Sequence, residues 1–355
     1  MKRADPTMSH TRWTNVLAPD LACEERQTIR LVDALPPNRL RQLALGFPLD
    51  WSHRRYWRAP SSVPYRGAYY VEWFGDSGTY GEDWDGKPRD DEGVLLTNGV
   101  VPTYHPIRIA QFALHCYGRW FERRDRVARE SFLAQARWLQ HNQRRIGLVG
   151  GCYPFPFPWP KYRAPSGWLS AMAQGEAISV LLRAHGLAPG AGFDAAARAA
   201  ARPFDSAIER GGVVFKDGQD VFLEECAVLP APHILNGCIF ALWGIWELEQ
   251  FDPQSRRREL IDAVLQTILR WIGAFDTRWW SRYSLQRSAG GRDHLATLKY
   301  HAFHIAQLRV LAEMTGDARF ARIAERWEAY VSHIASRARV LLETALSLPE
   351  RFGAG

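Results

Sequence analysis

Trp168-Leu169-Ser170-Ala171-Met172-Ala173-Gln174-Gly175-Glu176-Ala177 opens the helical run, Trp168–Ala184, whose reading decides the fold. Its small and apolar residues let neighbouring backbones approach closely, as in an inner helix of a helical assembly. The next run, Phe193–Glu209, is more charged and reads as its outer partner. The pairing repeats. Ile107–Arg123 has Ile109, Phe112, Ala113, Cys116 and Trp120 at helical spacing, and Val127–Arg144 has Phe132, Ala136 and Leu139. Ile234–Glu249 is followed by Arg257–Phe275, and His301–Thr315 by Ala318–Leu346, with loops such as Gly151–Pro165 and Gly211–Pro232 between runs. No strand–helix–strand alternation calls for a parallel sheet. The predicted fold is mainly α: an α/α toroid, a barrel of about four helical hairpins, over residues 102–350.

Residues 1–101 read as a lead-in. Helices are expected near Asp20–Ala34 and Arg39–Leu45, followed by the aromatic and basic stretch Trp51–Arg58. Short β-like runs, Ala68–Phe74 and Val94–Thr97, lie around the turns Gly75–Gly81 and Glu82–Glu92 and predict a small β-hairpin or flap.

The 355 residues are 46% hydrophobic, enough for a sizeable core without disulfides. Five cysteines, Cys23, Cys116, Cys152, Cys226 and Cys238, form no C-x-x-C pair and read as buried thiols in a reducing compartment. Neither a signal-peptide core nor a long apolar stretch is present, so a cytoplasmic protein without membrane insertion is expected. The net charge of +7 comes chiefly from dispersed arginines and suits an anionic partner. Nucleic acid is not expected, because no recognition motif accompanies the arginines. A phosphate loop, a Gly-x-Ser-x-Gly elbow and a His-Glu-x-x-His motif are all lacking, which removes nucleotide-driven chemistry, serine hydrolysis and zincin proteolysis. The acidic run Asp83, Asp85, Asp90, Asp91 and Glu92 lacks the remaining ligands of an EF-hand loop.

Ionisable and phenolic groups gather where apolar helical runs begin. Glu224 and Glu225 precede Pro232–Gly237, Tyr283 follows Arg282, and Tyr300, His301 and His304 open the run at Lys299. Adjacent Glu224 and Glu225 point to different sides, and the apolar residues around them predict a packed loop. Proton abstraction beside a carboxylate needs a base on one face of the carbon and an acid on the other. Glu225 can be the base once burial raises its pKa, and Tyr283 or Tyr300 the acid. His301 and His304 have metal-ligand spacing but no third ligand, so they read as satisfied helix histidines or glycan donors, and no metal is expected. Tyr104 and His105 sit at the mouth end of another helix. Gln174 and Glu176 are polar groups on an apolar helix and need partners.

Tyr104–Gln111, Trp168–Ser179, Glu224–Leu242, Tyr283–Leu285 and Tyr300–Leu308, followed by Thr315-Gly316-Asp317, together resemble the C-terminal domain of the D-glucuronyl C5-epimerase family. The resemblance covers roughly residues 100–335. It implies an α/α barrel, no redox cofactor and reversible exchange of a uronate C5 proton, with glucuronate converted to iduronate. It places the family's acid–tyrosine pair on Glu225 and Cys226 and two further tyrosines on Tyr283 and Tyr300. Cys226 departs from the family, since a thiol is shorter than a phenol and titrates lower. Glu176 stands where the family has glutamine. Glu225, Tyr283 and Tyr300 are therefore the expected catalytic residues. Tyr104, His105, Gln174, Glu176, Cys226, Asn236, Arg282, His301 and His304 are the expected substrate contacts. A uronate-containing glycan or glycoside is the expected partner, bacterial rather than animal, and a homodimer is compatible with the sequence. Two alternatives stay open: a uronate lyase, which shares the first proton transfer, and a glycan-binding relative without activity.

Overall fold

The computed structural model describes residues 57–71, 84, 86–97, 101–287 and 291–346. The expected helices at Asp20–Ala34 and Arg39–Leu45, the turn Gly75–Gly81, most of Trp51–Arg58, and Cys23, Asp83 and Asp85 lie outside the described residues. Within them the protein is mainly helical. Helices α1 (Pro106–Arg123) and α2 (Arg126–His141) form a hairpin, as do α3 (Ala171–Leu187) and α4 (Phe193–Ala200). Helices α5 (Leu235–Phe251) and α6 (Arg258–Phe275) pair next, then α7 (Leu298–Thr315) and α8 (Ala318–Ser332), followed by α9 (Ile334–Leu346). The first members of the hairpins pack in succession, α1 on α3, α3 on α5 and α5 on α7.

Local chemistry fixes the helix starts. Asp125, Ser170, Thr297 and Asp317 each accept a backbone N–H of the following first turn, and His105 Nδ1 does the same for Arg108. Along α3 every residue from Ala171 to Ala184 is buried, and α5 is buried from Leu235 to Ile245. These two helices touch backbone to backbone. A Cβ on Gly175 would lie 2.6 Å from Ala241 Cα, and one on Gly244 would overlap the Gly175 carbonyl, so glycine at both positions sets their separation.

Three expectations need correction. The run Phe193–Glu209 is not one helix. It stops at Ala200, because Pro203 cannot continue an α-helix, and proceeds as short 3₁₀ turns at Arg202–Asp205 and Ile208–Arg210. Ala318–Leu346 is divided at His333, whose backbone is extended. Two strand pairs were not expected: β1 (Arg144–Ile146) with β2 (Val149–Cys152), from the end of the run Val127–Arg144 into the loop Gly151–Pro165, and β3 (Val214–Asp217) with β4 (Asp220–Leu223), inside the loop Gly211–Pro232. Near the N-terminus, Val71 bridges Trp57 and Leu95 bridges Arg89, and Ala68–Phe74 is described only as far as Val71, so most of the expected flap lies outside the described residues.

A fully buried ion pair ties the N-terminal segment to this core. Arg183 on α3 meets both carboxylate oxygens of Glu247 on α5 at 2.8 and 2.9 Å and donates to the carbonyls of Pro64 and Gly67. Tyr70 donates its hydroxyl to Glu247 at 2.5 Å. Every charged atom is thus partnered, the condition under which such a pair is tolerated in a core. The four described cysteines are buried free thiols. No helix among the described residues is long and apolar enough to cross a membrane.

Candidate active site

Glu225 is placed by the exit of the β3–β4 hairpin. Glu224 N–H donates to the Val213 carbonyl, the Glu224 carbonyl accepts from Ala171 N–H, and Ala227 N–H donates to the Leu169 carbonyl. The loop is thereby bonded along the start of α3, as its apolar neighbours predict. The two acids diverge. Glu224 is fully buried and accepts from His233 through the backbone N–H at 3.1 Å and Nδ1 at 2.5 Å. Glu225 lies against α5, where a Cβ on Gly237 would overlap its side chain. Gly237 is the gap that admits this carboxylate.

Tyr283 comes from an extended stretch held between its neighbours. Its N–H donates to the His294 carbonyl at 2.7 Å, and its carbonyl accepts from Leu235 N–H at 3.2 Å. Its hydroxyl reaches Glu225 Oε1 at 3.5 Å, a long contact. Tyr300, in the first turn of α7, meets the Tyr283 ring edge to face at 4.7 Å. One carboxylate and two phenols from three separate segments therefore converge.

Burial governs the electrostatics. Glu225 is 5% exposed and its Oε2 has no hydrogen-bond partner. Desolvation pushes its carboxyl up to about 8, with the Tyr283 hydrogen bond and Lys161 opposing and Glu224 reinforcing. Tyr283 is raised well above the usual phenol range, first by burial and then by Glu225 and Tyr300. Burial likewise raises the Cys226 thiol, with Glu225 and Glu224 adding to the effect, so this cysteine is a neutral thiol. Glu176 is fully buried, accepts from Gln111 at 3.2 Å through Oε1, and has no partner for Oε2. Desolvation raises its carboxyl well above the normal range despite Gln111. Asn236, buried on α5 beside Gly237, has an unpartnered amide nitrogen.

Other expected substrate contacts are occupied elsewhere. Gln174 is saturated by backbone: its oxygen accepts from Tyr153 N–H, and its nitrogen donates to the Gly151 and Ala200 carbonyls at 2.8 and 2.7 Å. It ties β2 and α4 to α3 and has no donor left for a sugar. Arg282 donates to the Ala274 carbonyl and to Asp293. His301 is sandwiched on Trp280 at 3.8 Å, bonds Ser281 through Nδ1 and the Trp327 carbonyl through Nε2, and is depressed to about 4 by burial. His304 shares Ser281 and is also held neutral by burial. These two histidines secure α7 to α8. Tyr104 gives its hydroxyl to Asp90 at 2.7 Å, and His105 caps α1 with its ring against Phe155 and Phe157. Asp90 itself accepts two backbone N–H groups, so it closes a turn. Among the described residues no group of three His, Cys, Asp or Glu side chains could hold a metal ion.

Three neighbours of the cluster escaped the sequence reading. Tyr162 ends a 3₁₀ turn, Pro160–Tyr162, with its hydroxyl buried. The Lys161 ammonium lies 5.4 Å from the Tyr162 ring and 5.9 Å from the Tyr283 ring, and 2.7 Å from His294 Nε2. His294 in turn meets Ser284 Oγ at 2.7 Å through Nδ1. The sequence signal was weak, because Lys161 and Tyr162 sit in a proline-rich loop with no periodicity. A cavity of about 430 Å³ between the 84–93 loop and α1 and α2, lined by Arg89, Phe112 and Arg137 among others, contains none of these groups.

Two comparisons with known proteins bear on the family. The D-glucuronyl C5-epimerase C-terminus family matches residues 151–329, which include Glu225, Tyr283 and Tyr300. The D-glucuronyl C5-epimerase of Caenorhabditis elegans is 30% identical over 213 residues, 56% of this chain and 35% of the relative, so the likeness spans about a third of that protein. Through this domain the chain belongs to the D-glucuronyl C5-epimerase family.

Proposed function

We propose that the protein is an epimerase acting at C5 of a uronate residue in an anionic glycan or glycoside, with the helical hairpins arranged as an α/α toroid around the site. Glu225 removes the C5 proton, and a phenol of the cluster that holds Tyr283 and Tyr300 returns one to the opposite face. The observation that carries this reading is the buried Glu225 carboxyl, pushed up to about 8 and set 3.5 Å from the Tyr283 hydroxyl, with Tyr300 against the same ring. A base of this strength suits a weakly acidic carbon, and general acid–base groups work best with a pKa near the operating pH. The Asn236 amide and the Lys161 charge support the electron-rich carboxylate that forms when C5 is deprotonated. No step requires an electron acceptor.

Incubation with uronate-containing oligosaccharides in deuterated water, followed by NMR, tests the reading. Deuterium replacing H5 with inversion at C5 is expected. An unsaturated, ultraviolet-absorbing product would assign elimination instead, and binding without exchange would leave a glycan-binding relative.

A further inference from the structure

Tyr162 has no part in the chemistry described so far, yet its placement resembles that of the residues that do. Its ring is 4% exposed, edge on to Trp159 at 4.6 Å, and its hydroxyl makes no hydrogen bond of ordinary geometry. A buried hydroxyl whose proton has no acceptor marks a place where a ligand can supply one. Its surroundings are those of the reacting cluster: Lys161 touches both its ring and that of Tyr283, and Glu225, Cys226 and Tyr300 act on its ionisation. Cys226 offers no phenol beside Glu225, and the Tyr283 hydroxyl is directed at Glu225.

A chain of donors leads outward from Tyr162. The Lys161 ammonium has no lone pair, so it donates to His294 Nε2, which leaves the ring proton on Nδ1 to donate to Ser284 Oγ. Ser284 keeps its own proton, and its hydroxyl is the neighbour that favours the Tyr162 phenolate. Lys161 is exposed to solvent.

We propose that Tyr162 is a further catalytic residue, a phenol that protonates C5 and is recharged from solvent through Ser284, His294 and Lys161; this rests on the C5-epimerase reading. The C5–H bond breaks as Glu225 takes the proton. A new C5–H bond then forms with the phenolic proton of Tyr162. The phenolate takes the Ser284 proton, Ser284 takes that of His294 Nδ1, His294 Nε2 takes one from Lys161, and water restores Lys161 while Glu225 returns its proton to solvent. Charge and protons balance, and no oxidant is involved.

The test is deuterium incorporation at C5 of heparosan, chondroitin and alginate oligosaccharides by the full chain and by Tyr162→Phe, with thermal unfolding of both. Phenylalanine keeps the ring packing and removes an unpaired hydroxyl. Melting at an unchanged or higher temperature, with kcat for exchange reduced about 100-fold and KM within about threefold, is the expected result. Ser284→Ala is expected to lower kcat in the same sense. Wild-type exchange that survives unchanged in Tyr162→Phe overturns the assignment and leaves the C5 reading standing. Exchange lost together with folding, where Ser284→Ala folds and keeps full activity, makes Tyr162 a packing residue and overturns it too. No exchange by the wild-type chain on any of the three glycans overturns both.

Discussion

Replacing Glu225 by glutamine tests the electrostatics of the site without reference to any substrate. The carboxyl is raised from 4.5 to about 8 because burial disfavours its charged form. The folded state therefore binds this proton more tightly than the unfolded chain does. A raised pKa gives stability that is fully present below about pH 4.5 and is lost as the pH climbs through about 8. At about 1.4 kcal/mol per unit, the loss between pH 5.5 and 8.5 is about 3 kcal/mol in the wild-type chain and absent in Glu225→Gln. Whatever glutamine gains or loses in packing is the same at both pH values and cancels in the comparison. Urea unfolding of the two proteins at both pH values is the assay, and the stability difference should move in favour of the glutamine variant by that amount. Parallel pH–stability curves, differing by a constant, would refute the claim that Glu225 is a buried, uncompensated acid.

Tyr283→Phe removes the hydroxyl that opposes the upward shift of Glu225. Deuterium exchange should fall by about 100-fold or more, and the rising limb of kcat/KM against pH, near 8 in the wild type, should move upward; a limb that stays in place would separate Tyr283 from Glu225. Gly237→Ala forces a Cβ into the Glu225 side chain. Exchange should drop at least about tenfold while stability, the balance of helix propensity against overlap, changes by less than about 2 kcal/mol, as kinetics and denaturant melts on one preparation would show.

Much of the helical framework was legible because apolar spacing and end signals coincide. Pro106 after the His105 cap, Ser170 before Ala171, and Gly316 at φ 69 after Thr315 each mark an end that the structure keeps. The β3–β4 hairpin was also legible in principle: Asp217-Gly218 lies between Val214-Phe215 and Val221-Phe222, a strong short-range turn signal that the apolar helices on either side overshadowed. Polar residues on buried helices are a different matter. Gln174, Glu176, His301 and His304 look alike in sequence, each a polar group on an apolar run. Yet Gln174 is saturated by three backbone groups from β2, α4 and Tyr153, whereas Glu176 keeps an oxygen without a partner. Periodicity reports which face a side chain occupies and says nothing of who meets it there. Tyr162 shows the same limit in reverse, since its neighbours lie some sixty to a hundred and forty residues further along the chain and no local pattern announces them.

Three carboxyls are buried within this part of the protein, and their partners separate them. Glu224 has two donors from His233, Glu225 one long contact to a phenol, and Glu176 one amide. A uronate brings a further carboxylate, and crowding it with two buried anions would oppose binding. Desolvation eases the conflict at Glu176: it holds the carboxyl well above the ordinary range and so favours the neutral acid, a hydrogen-bonding group of the same size as glutamine. Glu176→Gln should therefore keep deuterium exchange within about threefold and melt at an equal or higher temperature, because no acid remains to be ionised at high pH. Glu176→Ala should lose stability by about 1 to 3 kcal/mol, leaving a hole and an unpaired Gln111 amide. If glutamine at 176 abolished exchange as completely as glutamine at 225, Glu176 would be acting as an anion or a proton carrier, and the assignment of a single base to this site would fail.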